Sequence, residues 1–136
     1  MKAPITDKYT YDAKVISVID GDTIRCHADL GFGIVCDTQN IRLARINAAE
    51  MKGPDASKAA QAKQALADLL LGKDVMIRTM KNHKDRYGRY ICEVWMKEDE
   101  SGKIVEAAAV APINPEDKWI NINDWLLEKG YAKQYK

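Results

Sequence analysis

Apolar positions in the first half of the chain recur with the period of two that a half-buried strand requires. Val15-Ile16-Ser17-Val18-Ile19 is rich in β-branched residues and runs into Asp20-Gly21, which predicts a strand ending in a tight turn, with Thr23 to Ala28 as its hairpin partner. Leu30-Gly31-Phe32-Gly33 breaks that run. A third extended stretch follows from Ile34 to Ile46, with a turn expected near Asp37 to Asn40. Within it Ile41 and Leu43 share one face, and Arg42 points with Ala44 to the other. Strict alternation would put Arg45 on the apolar side, so a bulge or a strand end is expected there.

The period then changes. Gly53-Pro54-Asp55-Ala56 opens a helix, with proline suited to its first turn and an acid at the favourable end of the dipole. Ala59, Ala62, Leu66, Leu69 and Leu70 recur at helical spacing up to a stop at Gly72. Val75 to Met80 and Tyr90 to Met96 predict two further strands. In the second of these, Tyr90, Cys92, Val94 and Met96 alternate with Ile91, Glu93, Trp95 and Lys97. Residues 97–120 are acidic and then rich in alanine and proline, the pattern of a surface insertion. Asn121 or Asn123 then caps a short helix through Trp125, Leu126 and Leu127, with a stop at Gly130. Three strands, a helix, two strands and a final helix match the order of a small OB-type five-stranded β-barrel capped by helices, an α+β arrangement.

Length and composition narrow this further. A chain of 136 residues suits one domain over 1–136, and 46% hydrophobic with 30% charged residues is ordinary for a globular protein. No apolar run reaches membrane-helix length and the N-terminus lacks a signal-peptide core, so the expectation is a soluble protein with no membrane partner, cytoplasmic unless the chain is a trimmed mature form. Cys26, Cys36 and Cys92 have no CxxC spacing and read as small apolar residues rather than as a disulfide framework or zinc site. The net charge of +1 excludes a protein that coats nucleic acid by overall basicity. Its distribution is uneven: between Met76 and Tyr90, Arg78, Lys81, Lys84, Arg86 and Arg89 stand against Asp85 alone. A local basic face is thus available to a phosphate chain.

Three polar clusters carry candidate chemistry: Asp20-Gly21-Asp22-Thr23, Arg42 to Glu50, and Asp85-Arg86-Tyr87-Gly88-Arg89. Asp20-Gly21-Asp22 alone reads as a tight turn. Beside Arg42, Glu50 and Arg89 it reads as part of a phosphodiester-hydrolysing site, because that reaction uses a carboxylate for a hard cation, a carboxylate to activate water, and guanidinium groups for developing negative charge. Arg45 reads as a surface or salt-bridging arginine, His27 and His83 as surface groups, and Trp95, Trp119 and Trp125 mostly as packing.

These clusters, with Gly53-Pro54-Asp55-Ala56-Ser57 and Glu128-Lys129-Gly130-Tyr131-Ala132, make the chain resemble the staphylococcal nuclease family. The resemblance implies an OB-fold barrel and Ca²⁺-dependent hydrolysis of the 5′ P–O bond of DNA and RNA, leaving 3′-phosphate ends, with single-stranded nucleic acid as the preferred partner. It implies Asp22 as a metal-ligating carboxylate, with Asn47 and the Ala48 carbonyl completing the ligand set, and Glu50 as the group that guides or deprotonates water. It implies Arg42 and Arg89 as the phosphate-binding arginines, and Arg86, Tyr87 and Tyr135 as further substrate contacts. Asn47 stands where the family has a second metal carboxylate, which lowers the expected metal affinity or admits another divalent cation. Ala49 replaces a proline before Glu50, and only Met51-Lys52 separates Glu50 from Gly53, where the founding member has a long loop. The rival reading is a nuclease-like nucleic-acid-binding module with weakened or lost hydrolysis; Asn47 and Ala49 favour it, and the set Asp22, Arg42, Glu50 and Arg89 opposes it.

Overall fold

The computed structural model describes residues 9–49, 54, 56–84, 88–107 and 118–134. Strands β1 (Thr10–Asp20) and β2 (Thr23–Gly31) pair antiparallel, with Asp20 opposite Thr23 across the expected tight turn. The second hairpin turns at Phe32-Gly33, both at positive φ (56° and 73°), and continues into β3 (Ile34–Leu43). Two residues in this conformation match the twist of the flanking strands.

The turn expected near Asp37 to Asn40 is not formed; β3 runs through it. Cys26 pairs with Gln39 and Ala28 with Cys36, so His27 alone faces both Asp37 and Thr38. The polar run is a β-bulge, with Thr38 at φ 53° and the His27 imidazole against the Asp37 carboxylate. A neighbouring strand supplied pairing that the local composition does not reveal. Arg45 also finds its explanation here: β3 stops at Leu43, and Arg45 turns the chain at φ 67° into β4 (Ile46–Ala48).

Helix α1 (Ala56–Leu70) buries Ala59, Ala62, Leu66 and Leu70, the stripe its spacing predicts. Gly72 ends it at φ 75°, and its N–H donates to the Val15 carbonyl (2.8 Å), tying the helix exit to β1. Strand β5 (Asp74–Lys84) then pairs antiparallel with both β1 and β6 (Tyr90–Glu98). The parallel pairing of β3 with β6, Ile41 to Tyr90 through Leu43 to Cys92, closes β1, β2, β3, β6 and β5 into a five-stranded barrel. Its interior holds Val15, Ile24, Cys26, Ile41, Leu43, Val75, Ile77, Cys92, Val94 and Met96. Burial pushes the Cys26 and Cys92 thiols up to about 12, so they behave as apolar core residues.

The segment expected to be a surface insertion begins and ends in the sheet. Strand β7 (Ile104–Val105) pairs with the end of β6, and β8 (Lys118–Asn121) pairs with β6 from Glu98 back to Trp95. Met76, Trp95, Ala107 and Trp119 form a second apolar cluster on the face of β6 opposite the barrel interior, and residues 108–117 lie outside the described set. This explains why Trp95 is buried although its alternation pointed outward, while Glu93 on the same face is buried against Arg45 and Asn121 at the end of β8. Asn121 caps α2 (Ile122–Glu128) by accepting from the Asp124 N–H at 2.9 Å. Asn123, the other candidate cap, is fully buried and ties the exit of β3 to β6: it accepts from Val94 N–H and donates to the Ala44 and Cys92 carbonyls. The chain closes with β9 (Ala132–Gln134) antiparallel to β4, a pairing too short for periodicity to announce.

Candidate active site

The corner where the β1–β2 turn meets β4 is built by close approach. A Cβ on Gly21 would lie 2.8 Å from the Ala48 Cβ and 2.9 Å from the Ala62 Cβ. Gly21 is therefore required by the backbone's contact with β4 and α1, not by a positive φ. Asp22 follows, with its N–H donating to Asp20 Oδ1 (3.0 Å) and its carbonyl accepting from the Leu43 N–H (2.8 Å).

That anchoring turns the Asp22 carboxylate inward, where only 7% of the residue is exposed. Oδ2 accepts from the Ala48 N–H at 2.9 Å and stands 3.3 Å from Arg42 Nη2. Oδ1 accepts from the Thr23 hydroxyl at 3.1 Å, and that hydroxyl oxygen accepts from Arg89 Nη1 at 3.1 Å. Burial, with the hydrogen bond and charge of Asp20, pushes the Asp22 carboxyl up to about 6, against the lowering pull of the Ala48 N–H and Arg42. It is a buried anion only partly compensated by its neighbours.

Strand register sets the two arginines side by side. Thr23 pairs with Arg42 and Arg42 with Ile91, so Arg89, two residues before Ile91, approaches the same face. Arg42 is held by its own strand end, Nη1 donating to the Leu43 carbonyl (2.9 Å), and by Asn47, whose Oδ1 accepts from Nη2 at 3.0 Å. Arg45, by contrast, faces away into a bidentate pair with Glu93 (2.8 and 2.7 Å) and a contact with Asp124 (2.9 Å). It is a salt-bridging arginine.

Of the residues singled out from the sequence, Asp22, Arg42, Asn47, Ala48 and Arg89 come together at this corner. Glu50, Arg86, Tyr87 and Tyr135 lie outside the described residues. Thr23, to which the sequence assigns no site role of its own, joins Asp22 to Arg89; its place in Asp-Gly-Asp-Thr is the available signal. Trp95 and Trp119 are packed under Arg78 and Lys97, at 5.5 and 5.4 Å from the ring centroids, and Trp125 leans on Tyr131 at 5.9 Å. Among the described residues, no cluster of three or more His, Cys, Asp or Glu side chains is arranged to hold a metal.

Fold and corner together define a class: a closed five-stranded barrel with a buried carboxylate flanked by two arginines where its strands end. The chain belongs to the family of staphylococcal nuclease homologues, whose profile matches residues 40–136. Arg42, Asn47 and Arg89 fall inside that span, while Asp22 and Thr23 lie upstream and reach the site through the fold. No curated protein matches the chain. Among the described residues no helix is long and apolar enough to cross a membrane.

Proposed function

We propose that this chain is a nuclease that hydrolyses the 5′ P–O bond of DNA and RNA, preferring single strands and using Ca²⁺ or another divalent cation at Asp22. The observation that carries this reading is the convergence of Asp22, Thr23, Arg42 and Arg89 from the β1–β2 turn and the ends of β3 and β6. A binding surface for a phosphate chain needs arginines, but it gains nothing from burying an under-compensated carboxylate between them.

The donors present suit a hard cation in one respect. Asp22 offers carboxylate oxygens in a site where burial outweighs the positive charge at hand, so further positive charge is favoured there. Bound at that carboxylate, a divalent cation would supply charge neutralisation to a phosphate oxygen. The chain's own groups do the rest. Arg42 and Arg89 hold the phosphate by charge-assisted hydrogen bonds that strengthen as its oxygens gain charge. Glu50 accepts a proton from water as the new O–P bond forms, and the bond from phosphorus to the 5′ oxygen breaks in line; that oxygen leaves as a hydroxyl by taking a proton from solvent water, and the phosphate stays on the 3′ side.

The test is release of acid-soluble nucleotides from single-stranded DNA with added Ca²⁺, with end-group analysis for 3′-phosphate. Activity of the wild type no greater than that of Glu50→Gln sinks the reading. One observation favours the second reading, a binding module with weakened hydrolysis: Arg42 is already engaged by Asp22 and Asn47, and residue 47 brings no second carboxylate. Salt-dependent oligonucleotide binding without cleavage at any divalent cation concentration would support that module.

A further inference from the structure

We infer that Asn47 is a positioning residue that holds Arg42 for phosphate, and not a ligand of the cation. This inference deepens the nuclease reading and rests on it for the role of Arg42. The geometry assigns the Asn47 side-chain oxygen elsewhere: it accepts from Arg42 Nη2 at 3.0 Å, while Nη1 of the same guanidinium donates to the Leu43 carbonyl at 2.9 Å and Nη2 stands 3.3 Å from Asp22 Oδ2. The amide must turn its oxygen this way, because its NH₂ would set donor against donor. A cation drawn to that oxygen would face the guanidinium charge at contact distance with only a neutral amide to offset it, whereas at Asp22, also beside Arg42, the carboxylate's own charge offsets the repulsion.

The chemistry of residue 47 then acquires a reason. A carboxylate there would place a second full negative charge against Arg42, which already has Asp22 beside it, and would compete with phosphate for the guanidinium. A neutral amide orients the guanidinium without adding a negative charge of its own beside it. The backbone that carries the amide is held by pairing, since Asn47 lies at the centre of β4 opposite Lys133 of β9. The same corner treats its other arginine in the same way, because a neutral hydroxyl, that of Thr23, accepts from Arg89 Nη1.

The experiment compares wild type, Asn47→Ala and Asn47→Asp in three measurements. Ca²⁺ affinity is read by calorimetry, and the affinity of a fluorescently labelled hexathymidylate is read in EDTA at low salt. The Arg42 side-chain Nε–H resonance is followed by NMR as a reporter of guanidinium order. Asn47→Ala is expected to bind the oligonucleotide about tenfold more weakly, as the loss of one hydrogen bond to a charged group implies, with Arg42 Nε–H broadened or exchanging faster. Its Ca²⁺ affinity stays within about twofold of wild type. Asn47→Asp is expected to bind the oligonucleotide more weakly in EDTA while Arg42 remains ordered, because a paired charge has replaced a neutral acceptor.

A tenfold loss of Ca²⁺ affinity in Asn47→Ala overturns the assignment, and so does unchanged oligonucleotide binding in that variant. Neither readout needs hydrolysis. A wild type that never cleaves nucleic acid would end the nuclease reading and leave this test intact.

Discussion

Replacing Asp22 by asparagine should make the cation-free protein more stable at neutral pH. In the folded state the Asp22 carboxyl is pushed up from 3.8 to about 6, chiefly by burial and then by Asp20, so the native protein binds its proton more tightly than the unfolded chain does. Stability conferred by that proton is fully present below about 3.8 and is lost as pH rises through about 6. Two units at about 1.4 kcal/mol each set a ceiling near 3 kcal/mol on the cost of holding the ionised carboxylate. An amide resembles the neutral acid and still accepts from the Ala48 N–H, but it gives up the attraction to Arg42. A gain of about 1–3 kcal/mol at pH 8 is expected, or roughly 3–10 °C in Tm. Urea unfolding in EDTA at pH 8 and at pH 4 measures it, EDTA being needed because a bound cation would offset the same cost. An Asp22→Asn protein less stable than wild type at pH 8, or equally stabilised at both pH values, would refute the reasoning. The same variant should lose nuclease activity, stability and function pulling in opposite directions at one carboxylate.

Three other substitutions probe the frame around that carboxylate. Gly21→Ala pushes a methyl group against Ala48 and Ala62 and should cost about 1–3 kcal/mol in urea unfolding; a change under half a kcal/mol would mean that β4 and α1 yield freely. Thr23→Val keeps the shape but removes the bridge between Asp22 and Arg89, so the expected result is about a tenfold fall in kcat, recovered by Thr23→Ser; equal activity of the valine and serine variants would deny the bridge a role. Arg45→Ala strands Glu93, only 6% exposed, without its cation and should cost about 3 kcal/mol. Oligonucleotide affinity measured well below the melting temperature should not change, and a tenfold loss there would make Arg45 part of the nucleic-acid surface.

Much of the frame was legible because it is local. The stripe Ala59, Ala62, Leu66 and Leu70, the tight turn at Gly21-Asp22, the alternation of Ile41 and Leu43 around Arg42, and the stops at Gly72 and Gly130 are each set by residues within one or two turns of chain. The misreading at Asp37 to Asn40 has the complementary cause. Asp, Thr, Gln and Asn favour a turn when they are alone, and only the presence of β2 alongside makes the same residues a bulge. Strands β4, β7 and β9 are two or three residues long, too short to carry a period, and exist because a partner strand lies next to them.

For the candidate site the division is similar. The sequence by itself determined the inventory: an acid after a tight turn, an arginine on the polar face of a strand, another beside a basic turn, and an amide where a carboxylate was expected. Only the tertiary structure decided what each group touches, because Thr23 meets Arg89, and Asp22 meets Ala48, through strand pairings and a close approach at Gly21 that join distant parts of the chain. Side-chain type is written locally, whereas the pKa of Asp22 and the partner of Asn47 depend on burial and neighbours that exist only once the barrel has closed.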